Sequence, residues 1–343
     1  MSKKIFGRLP SGERLARIKT SPNYREGSFQ NIEPTSLMSD NVSIFKLIKD
    51  YSDKPKTVNP SSELPHIKTD LHQLDKEKDL IIWFGHSSYL ISLQGFTILV
   101  DPVLSGHASP VKFFGKPFPG ADNYKLKDFP PIDLLILTHD HYDHLDYKTV
   151  SELHKTVKQI ITPLGVGSHL EYWGVENGKI TELDWWQSSV LNNGFEITST
   201  PSRHFSGRGL TRAKTLWCSF VLNTGKWKLF LGGDSGYDKQ FKIIGDKFDG
   251  FDLAILECGQ YGKDWPLIHM KPEETVLAAT ELRASVLLPV HWGKFVLSNH
   301  PWDEPINRLS AEATAKNQKF ITPLIGEPYT IGEDFNSKEW WKL

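Results

Sequence analysis

From residue 80 onward the chain alternates short apolar runs with turn-forming clusters. Residues 80–84 (Leu-Ile-Ile-Trp-Phe) read as a buried strand, interrupted by Gly85-His86-Ser87-Ser88. Runs at 89–93 and 96–100, joined through Gln94-Gly95 and closed by Asp101-Pro102, read as a hairpin. A further apolar run covers 134–137. Beyond it, Val150, Leu153 and Val157 share a face and predict a helix over 146–157. Strands are predicted at 159–162, 179–183, 195–200, 216–222, 228–231, 253–256 and 286–290, with short ones at 319–325 and 328–331. Helices are predicted at 165–172, 237–244, 272–282 and 306–316, the third opening on Pro272, a position where proline is tolerated. Hairpins open each half and βα units follow. That order implies an α/β protein with two mixed sheets packed face to face and helices outside, a four-layer α/β/β/α sandwich.

Residues 1–79 look different. They are polar and punctuated by Pro22, Pro34, Pro55, Pro60 and Pro65, with one short helix expected at 42–50 from Val42, Phe45, Leu47 and Ile48. The division expected is an N-terminal arm, 1–79, packing on a catalytic domain, 80–343. The Gly- and Pro-containing loop at 105–131 carries Phe113, Phe114 and Phe118 and could flank a pocket.

Composition narrows the class. The 343 residues are 39% hydrophobic, enough for a large core, and a net charge of -1 gives no global attraction to nucleic acid. Cys218 and Cys258 lie in separate apolar runs, as buried free thiols would, which suits a reducing compartment. No apolar segment follows Lys3, Lys4 and Arg8, so no signal peptide is expected, and no apolar run is long enough to span a bilayer. A cytoplasmic protein is the expectation, with peripheral membrane contact through Phe113-Phe114 and Trp265-Pro266-Leu267 as its extension.

The chemistry concentrates at Thr138-His139-Asp140-His141-Tyr142-Asp143-His144, directly after an apolar run. Imidazole and carboxylate hold zinc or iron at neutral pH without thiols. His139 and His141 can converge on one ion, while Asp143 and His144 suit a second. Three later apolar runs also end in a metal-competent residue beside a turn: His204 after 195–200, Asp234 after 228–231 and His291 after 286–290. Together they imply two ions sharing Asp234: His139, His141, His204 and Asp234 at one, Asp143, His144, Asp234 and His291 at the other. The expected cofactor is a pair of Zn2+ ions, with Mn or Fe as alternatives, and an open position for water.

This set resembles the metallo-β-lactamase superfamily of binuclear hydrolases. More closely it is similar to the N-acylphosphatidylethanolamine-hydrolysing phospholipase D family. The match is carried by Trp83-Phe84-Gly85-His86-Ser87-Ser88, Leu99-Val100-Asp101-Pro102, the histidine-rich loop, the 201–208 segment, Gly233-Asp234-Ser235-Gly236-Tyr237, the 269–274 segment and His291-Trp292-Gly293-Lys294-Phe295. The resemblance implies a phosphodiesterase that cleaves N-acylphosphatidylethanolamine-type phospholipids to N-acylethanolamine and phosphatidic acid through a metal-bridging hydroxide. It implies that His269 faces the phosphate as hydrogen-bond or proton donor, with Asp143 and Asp234 at the reacting centre. The alternative is a soluble hydrolase of a small anionic ester or lactone, such as a sugar-phosphate lactone. Phe205 stands where the family pattern has tryptophan.

Asp101 reads either as the carboxylate that orients a ligand imidazole or as a turn cap with Pro102, and His86 as an inner-edge or a turn histidine. Arg203, Arg208, Lys271 and Lys294 are either anion contacts or solvated surface. Glu257 follows a strand and could reach the site, but a strand-end hydrogen bond is the favoured reading. The expected partners are a phospholipid or small anionic ester and no nucleic acid; a homodimer is compatible with the sequence.

Overall fold

The protein's structure, a computed structural model, describes residues 3–39, 43, 46 and 53–343. After a short 3-10 turn at Lys3–Phe6 comes a helix that the apolar pattern did not predict, α1 (Gly12–Lys19). Only Ile18 of that helix is buried. What holds it is Arg14, whose guanidinium meets Glu182 at 2.8 Å and Glu171 at 2.6 Å. Partners so distant in sequence leave no local periodicity to read. A two-strand ribbon follows, β1 (Tyr24–Arg25) with β2 (Ser28–Phe29). The helix expected at 42–50 lies outside the described residues, apart from positions 43 and 46.

The first large sheet holds seven strands. The antiparallel set is β3 (Leu80–Trp83), β4 (Tyr89–Leu93) and β5 (Phe96–Val100). It continues in parallel through β6 (Ile132–Ile136), β7 (Val157–Pro163) and β8 (Ile180–Leu183). The second sheet holds six strands: β9 (Ser188–Val190), β10 (Glu196–Thr200), β11 (Ser219–Asn223), β12 (Lys228–Leu231), β13 (Phe251–Glu257) and β14 (Ala284–Val290). A last strand, β15 (Pro328–Thr330), pairs with β3 across Tyr329 and Ile81.

The near-continuous apolar runs follow from burial on both faces. Ile81, Trp83, Tyr89, Ile91, Ile98 and Val100 join one cluster with Phe220, Phe230 and Leu231 of the second sheet. Their alternating neighbours Ile82, Leu90, Leu99 and Leu135 join a second cluster with Val150 and Leu153 of α2 (Tyr147–Leu153) and Leu170 of α3 (Gly167–Tyr172). On the far side lie α4 (Gln240–Phe248), α5 (Pro272–Glu281) and α6 (Glu304–Ala315), which bury Ile244, Val276 and Leu309. The result is the expected four-layer α/β/β/α sandwich.

Boundaries moved where backbone partners come from elsewhere. Helix α2 stops at Leu153, and Val157 instead starts β7. Residues 216–218 were expected to begin a strand, yet Leu216 N–H bonds Leu164 O and Cys218 N–H bonds Thr138 O, so they cross to the first sheet and β11 begins at Ser219. The strand expected at 319–325 reduces to two isolated bridges, Phe320 with Leu287 and Ile325 with His66. The short edge strand β9 was not predicted: its three residues carry one apolar side chain.

Candidate metal centre

The strand ends deliver the polar residues to one place. After β6 the chain turns through residues 138–146 into α2, whose N-cap Asp146 accepts from Lys148 N–H at 3.2 Å. Within the loop, Leu145 N–H bonds His141 O at 2.7 Å, tightening it into a turn. Asp101, at the end of β5, reaches across. Its Oδ1 accepts Thr138 N–H at 2.9 Å, and its Oδ2 accepts Thr138 Oγ1–H at 2.6 Å and His144 Nδ1–H at 2.7 Å. Asp101 holds φ at +41°, an uncommon conformation outside glycine that its three hydrogen bonds stabilise. The carboxylate thus bonds both the turn at Thr138 and the His144 imidazole.

Two donor groups form around the loop, and a third, Asp234, Glu257, His269 and His291, overlaps them. In the first, His139 Nε2 and His204 Nε2 lie 3.0 and 3.2 Å from His141 Nδ1, and 3.8 and 3.7 Å from Asp234 Oδ2. His204 donates its Nδ1–H to Ile268 O at 2.8 Å, which leaves Nε2 as a lone pair aimed at the other donors. In the second, His86, Asp143, His144 and His291 converge. His86 Nε2 is 3.0 Å from Asp143 Oδ2, and His144 Nε2 is 3.7 Å from the same oxygen. Asp234 Oδ1 lies 3.2 Å from both His144 Nε2 and His291 Nδ1, so this carboxylate touches both groups. Gly233 makes its placement feasible: a Cβ there would come within 2.5 Å of Cys218 O.

The donor chemistry fits cations. His144 Nε2 and Asp234 Oδ1 are buried and make no hydrogen bond, which is costly unless something positive completes them. Burial alone would make His144 reluctant to carry charge, but Asp234, Asp143 and Asp101 outweigh it and raise its affinity for a proton. A field that holds a proton there would also hold a metal ion. Burial likewise works against ionised Asp234, and His144 and His291 overcome it, keeping the carboxyl well below its ordinary range. All seven ligand candidates read from the sequence are therefore brought together. His86 joins them more closely than a turn histidine would.

His269 stands at the rim. Its Nδ1 is 2.7 Å from Glu257 Oε2, and its ring centre is 5.0 Å from that of His204 and 5.2 Å from that of His291. Burial disfavours the imidazolium, yet the Glu257 carboxylate outweighs it and holds His269 above its ordinary range. For Glu257 the sequence favoured a strand-end bond over a reach into the site. It does accept Ser235 N–H, but it also grips His269. The signal was its place at the end of β13, between β12 and β14, whose ends carry Asp234 and His291.

The candidate anion contacts resolve differently. Arg208 is buried and donates to the carbonyls of Asp140, Leu145 and Ile5. Arg203 donates to Thr35 Oγ1, Pro34 O and Tyr237 O. Lys294 is buried against Phe84 O and Val103 O, and burial pushes its pKa down to about 8. None of these three is a solvated side chain facing a substrate. Arg212 instead lines the cavity, beside Phe205. That cavity, of about 300 Å3, is walled by Leu37, Met38, Phe205, Trp265, Ile268 and Leu297 and floored by His141, Asp143, His204, Asp234, His269 and His291. In the 105–131 loop, Phe118 is buried and Phe113 is exposed. Among the described residues no helix is long and apolar enough to cross a membrane.

Comparison with known proteins agrees with this geometry. A model of the beta-lactamase superfamily domain matches residues 97–292. The uncharacterised protein Rv0906 of Mycobacterium tuberculosis is 37% identical over 94% of this chain and 88% of its own length. The N-acyl-phosphatidylethanolamine-hydrolyzing phospholipase D 1 of Caenorhabditis elegans is 32% identical over 71% of this chain and 74% of its own. Among solved structures, Igni18, a metallo hydrolase from the archaeon Ignicoccus hospitalis, superposes with a TM-score of 0.57 at 20% identity, over 76% of this chain and all of that one, which speaks to the fold. With a sandwich of this topology, paired His/Asp donor groups at its strand ends and these relatives, the chain belongs to the metallo-β-lactamase superfamily of metal-dependent hydrolases.

Proposed function

We propose that the protein is a two-zinc phosphodiesterase of the phospholipase D type, cleaving N-acylphosphatidylethanolamine-type phospholipids to N-acylethanolamine and phosphatidic acid. The observation that carries the reading is the cavity itself, where a floor of metal donors meets a wall of Leu37, Met38, Trp265, Ile268 and Leu297 with Arg212 at the side. A phosphodiester bearing apolar chains matches that division, whereas a small sugar-phosphate lactone would leave the apolar wall without a partner. The similarity to the nematode phospholipase D supports the same substrate class.

His139, His141, His204 and Asp234 would hold one ion, and Asp143, His144, His291 and the other oxygen of Asp234 the second, with His86 steadying Asp143. Two divalent cations there would supply Lewis acidity and a water acidified to work at neutral pH. Arg212 would pair with a phosphate oxygen from the cavity wall. His269 would give the Nε2 proton to the leaving ethanolamine oxygen as its bond to phosphorus breaks, while Glu257 holds Nδ1–H and so fixes the ring. The test is purified, zinc-loaded protein offered an N-acylphosphatidylethanolamine in mixed micelles and, separately, a sugar-phosphate lactone, with products identified by mass spectrometry. Release of N-acylethanolamine is expected. Lactone opening with no lipid turnover would replace this reading with the small-ester one.

A further inference from the structure

Asp140 stands between the two histidines that open the loop, and its side chain leaves on the other side. His139 and His141 turn inward, their ring nitrogens 3.0 Å apart. The buried carboxylate of Asp140 turns away from them, where Oδ1 accepts Gly207 N–H at 2.6 Å and Oδ2 accepts Thr215 Oγ1–H at 2.9 Å and His169 Nε2–H at 3.1 Å. The Asp140 carbonyl is held as well, by Arg208 Nη1 at 2.7 Å. A residue tied at both its carboxylate and its carbonyl cannot rotate, so its two neighbours keep a fixed angle to each other.

The tie continues outward. His169 is buried, and its Nδ1 accepts the Arg8 N–H at 3.0 Å, so the one proton of a neutral ring sits on Nε2 and points at Asp140. Gly7, at φ +69°, lets the backbone come this close: a Cβ there would lie 2.0 Å from His169 Nδ1.

We propose that Asp140 and His169 are positioning residues for the His139–His141 pair. They set the donor angle at the first cation group, and residues 7 and 8 of the arm form the last link of the relay. The proposal rests on the reading that this group holds a divalent cation. The probe is zinc alone, competed against a chromophoric chelator, with total metal measured on the whole chain. Phenylalanine at 169 keeps a ring but removes both hydrogen bonds. Glutamine can donate to Asp140 and accept from Arg8, as histidine does.

H169F should bind one equivalent of zinc about 10–100-fold more weakly than wild type, and H169Q should recover most of the loss. The visible bands of the cobalt-substituted protein should shift in H169F and return in H169Q. If H169F does not fold, T215V removes a single donor from the same carboxylate oxygen and should weaken zinc binding severalfold. Unchanged affinity in H169F or, in its place, in T215V overturns the relay, and so does an equal loss in H169F and H169Q, which would point to packing instead. Wild-type protein that binds no zinc would sink the reading of the site, and the relay with it; wild-type binding with unaltered variants sinks the relay alone.

Discussion

Substitution of His269 would test whether chemistry can be separated from metal binding. The residue is attached to Glu257 and belongs to neither donor group built on His139 or His144, although with Glu257, Asp234 and His291 it forms a third. Replacing it with alanine should leave zinc content intact and lower turnover by about 10²-fold or more, read as kcat alongside elemental analysis. E257Q should give a smaller loss in kcat with the same metal content. Far from the site, Asp79 offers a pH test. Its carboxylate accepts Gln94 N–H at 2.9 Å and both Lys226 Nζ–H and Trp227 Nε1–H at 2.7 Å. Burial works to raise its pKa, but these donors overcome burial and lower it. The stabilisation is therefore present above the ordinary aspartate value and is lost as pH falls through the depressed native one. D79N should cost about 1–3 kcal/mol near neutrality, and its melting temperature should rejoin that of wild type in acid. An equal gap at every pH would rule out the charge as the cause. At this scale, residues sitting just after apolar runs were legible, because a strand end is a local signal. The Arg203, Arg208 and Lys294 contacts were not, since their carbonyl partners come from remote segments.

Elements with an apolar stripe or a cap could be read directly: α5 opens on Pro272 as expected, and β12 occupies the predicted residues. Helix α1 shows what pattern misses. It buries one side chain and depends on Arg14, whose two carboxylate partners come from α3 and β8. R14A should therefore loosen the arm without disturbing the sheets, and limited proteolysis should cut within residues 3–39 while the remainder stays intact. Cutting no faster than wild type would show that the ribbon and the 31–39 segment hold the arm unaided. The cap of α2 has a different reach. Asp146 accepts Lys148 N–H, Thr149 Oγ1–H and, across the loop, Ser105 N–H. D146A should cost about 0.5–2 kcal/mol, seen as a lower denaturant midpoint with an unchanged slope.

Across the whole molecule, the donors come from both sheets. His86 and the 139–144 loop follow strands of the first; His204, Asp234 and His291 follow strands of the second. Bound ions would therefore act as a clamp between the two halves of the sandwich. A ligand present at a thousand times its dissociation constant adds about 4 kcal/mol to stability. Chelator treatment should lower the melting temperature by several degrees, and zinc should restore it. D234N, which removes the carboxylate shared by both groups, should melt at the same temperature with and without chelator. A melting temperature indifferent to chelator in the wild type would argue against a clamp.

The arm's anchors also set an order of events during synthesis. Asn31 grips the backbone of His204 from both sides, its amide donating to His204 O at 2.8 Å and its oxygen accepting His204 N–H at 3.1 Å. Ser39 N–H bonds Asp264 O, and Arg14 waits for Glu171 and Glu182. Arg14, Asn31 and Ser39 are thus made well before the residues that hold them. At ~5–20 residues per second, roughly 9–35 s separate Asn31 from His204 on the ribosome. Until those partners emerge, Ile18 and Phe29, both buried in the finished molecule, lack most of the cluster they join.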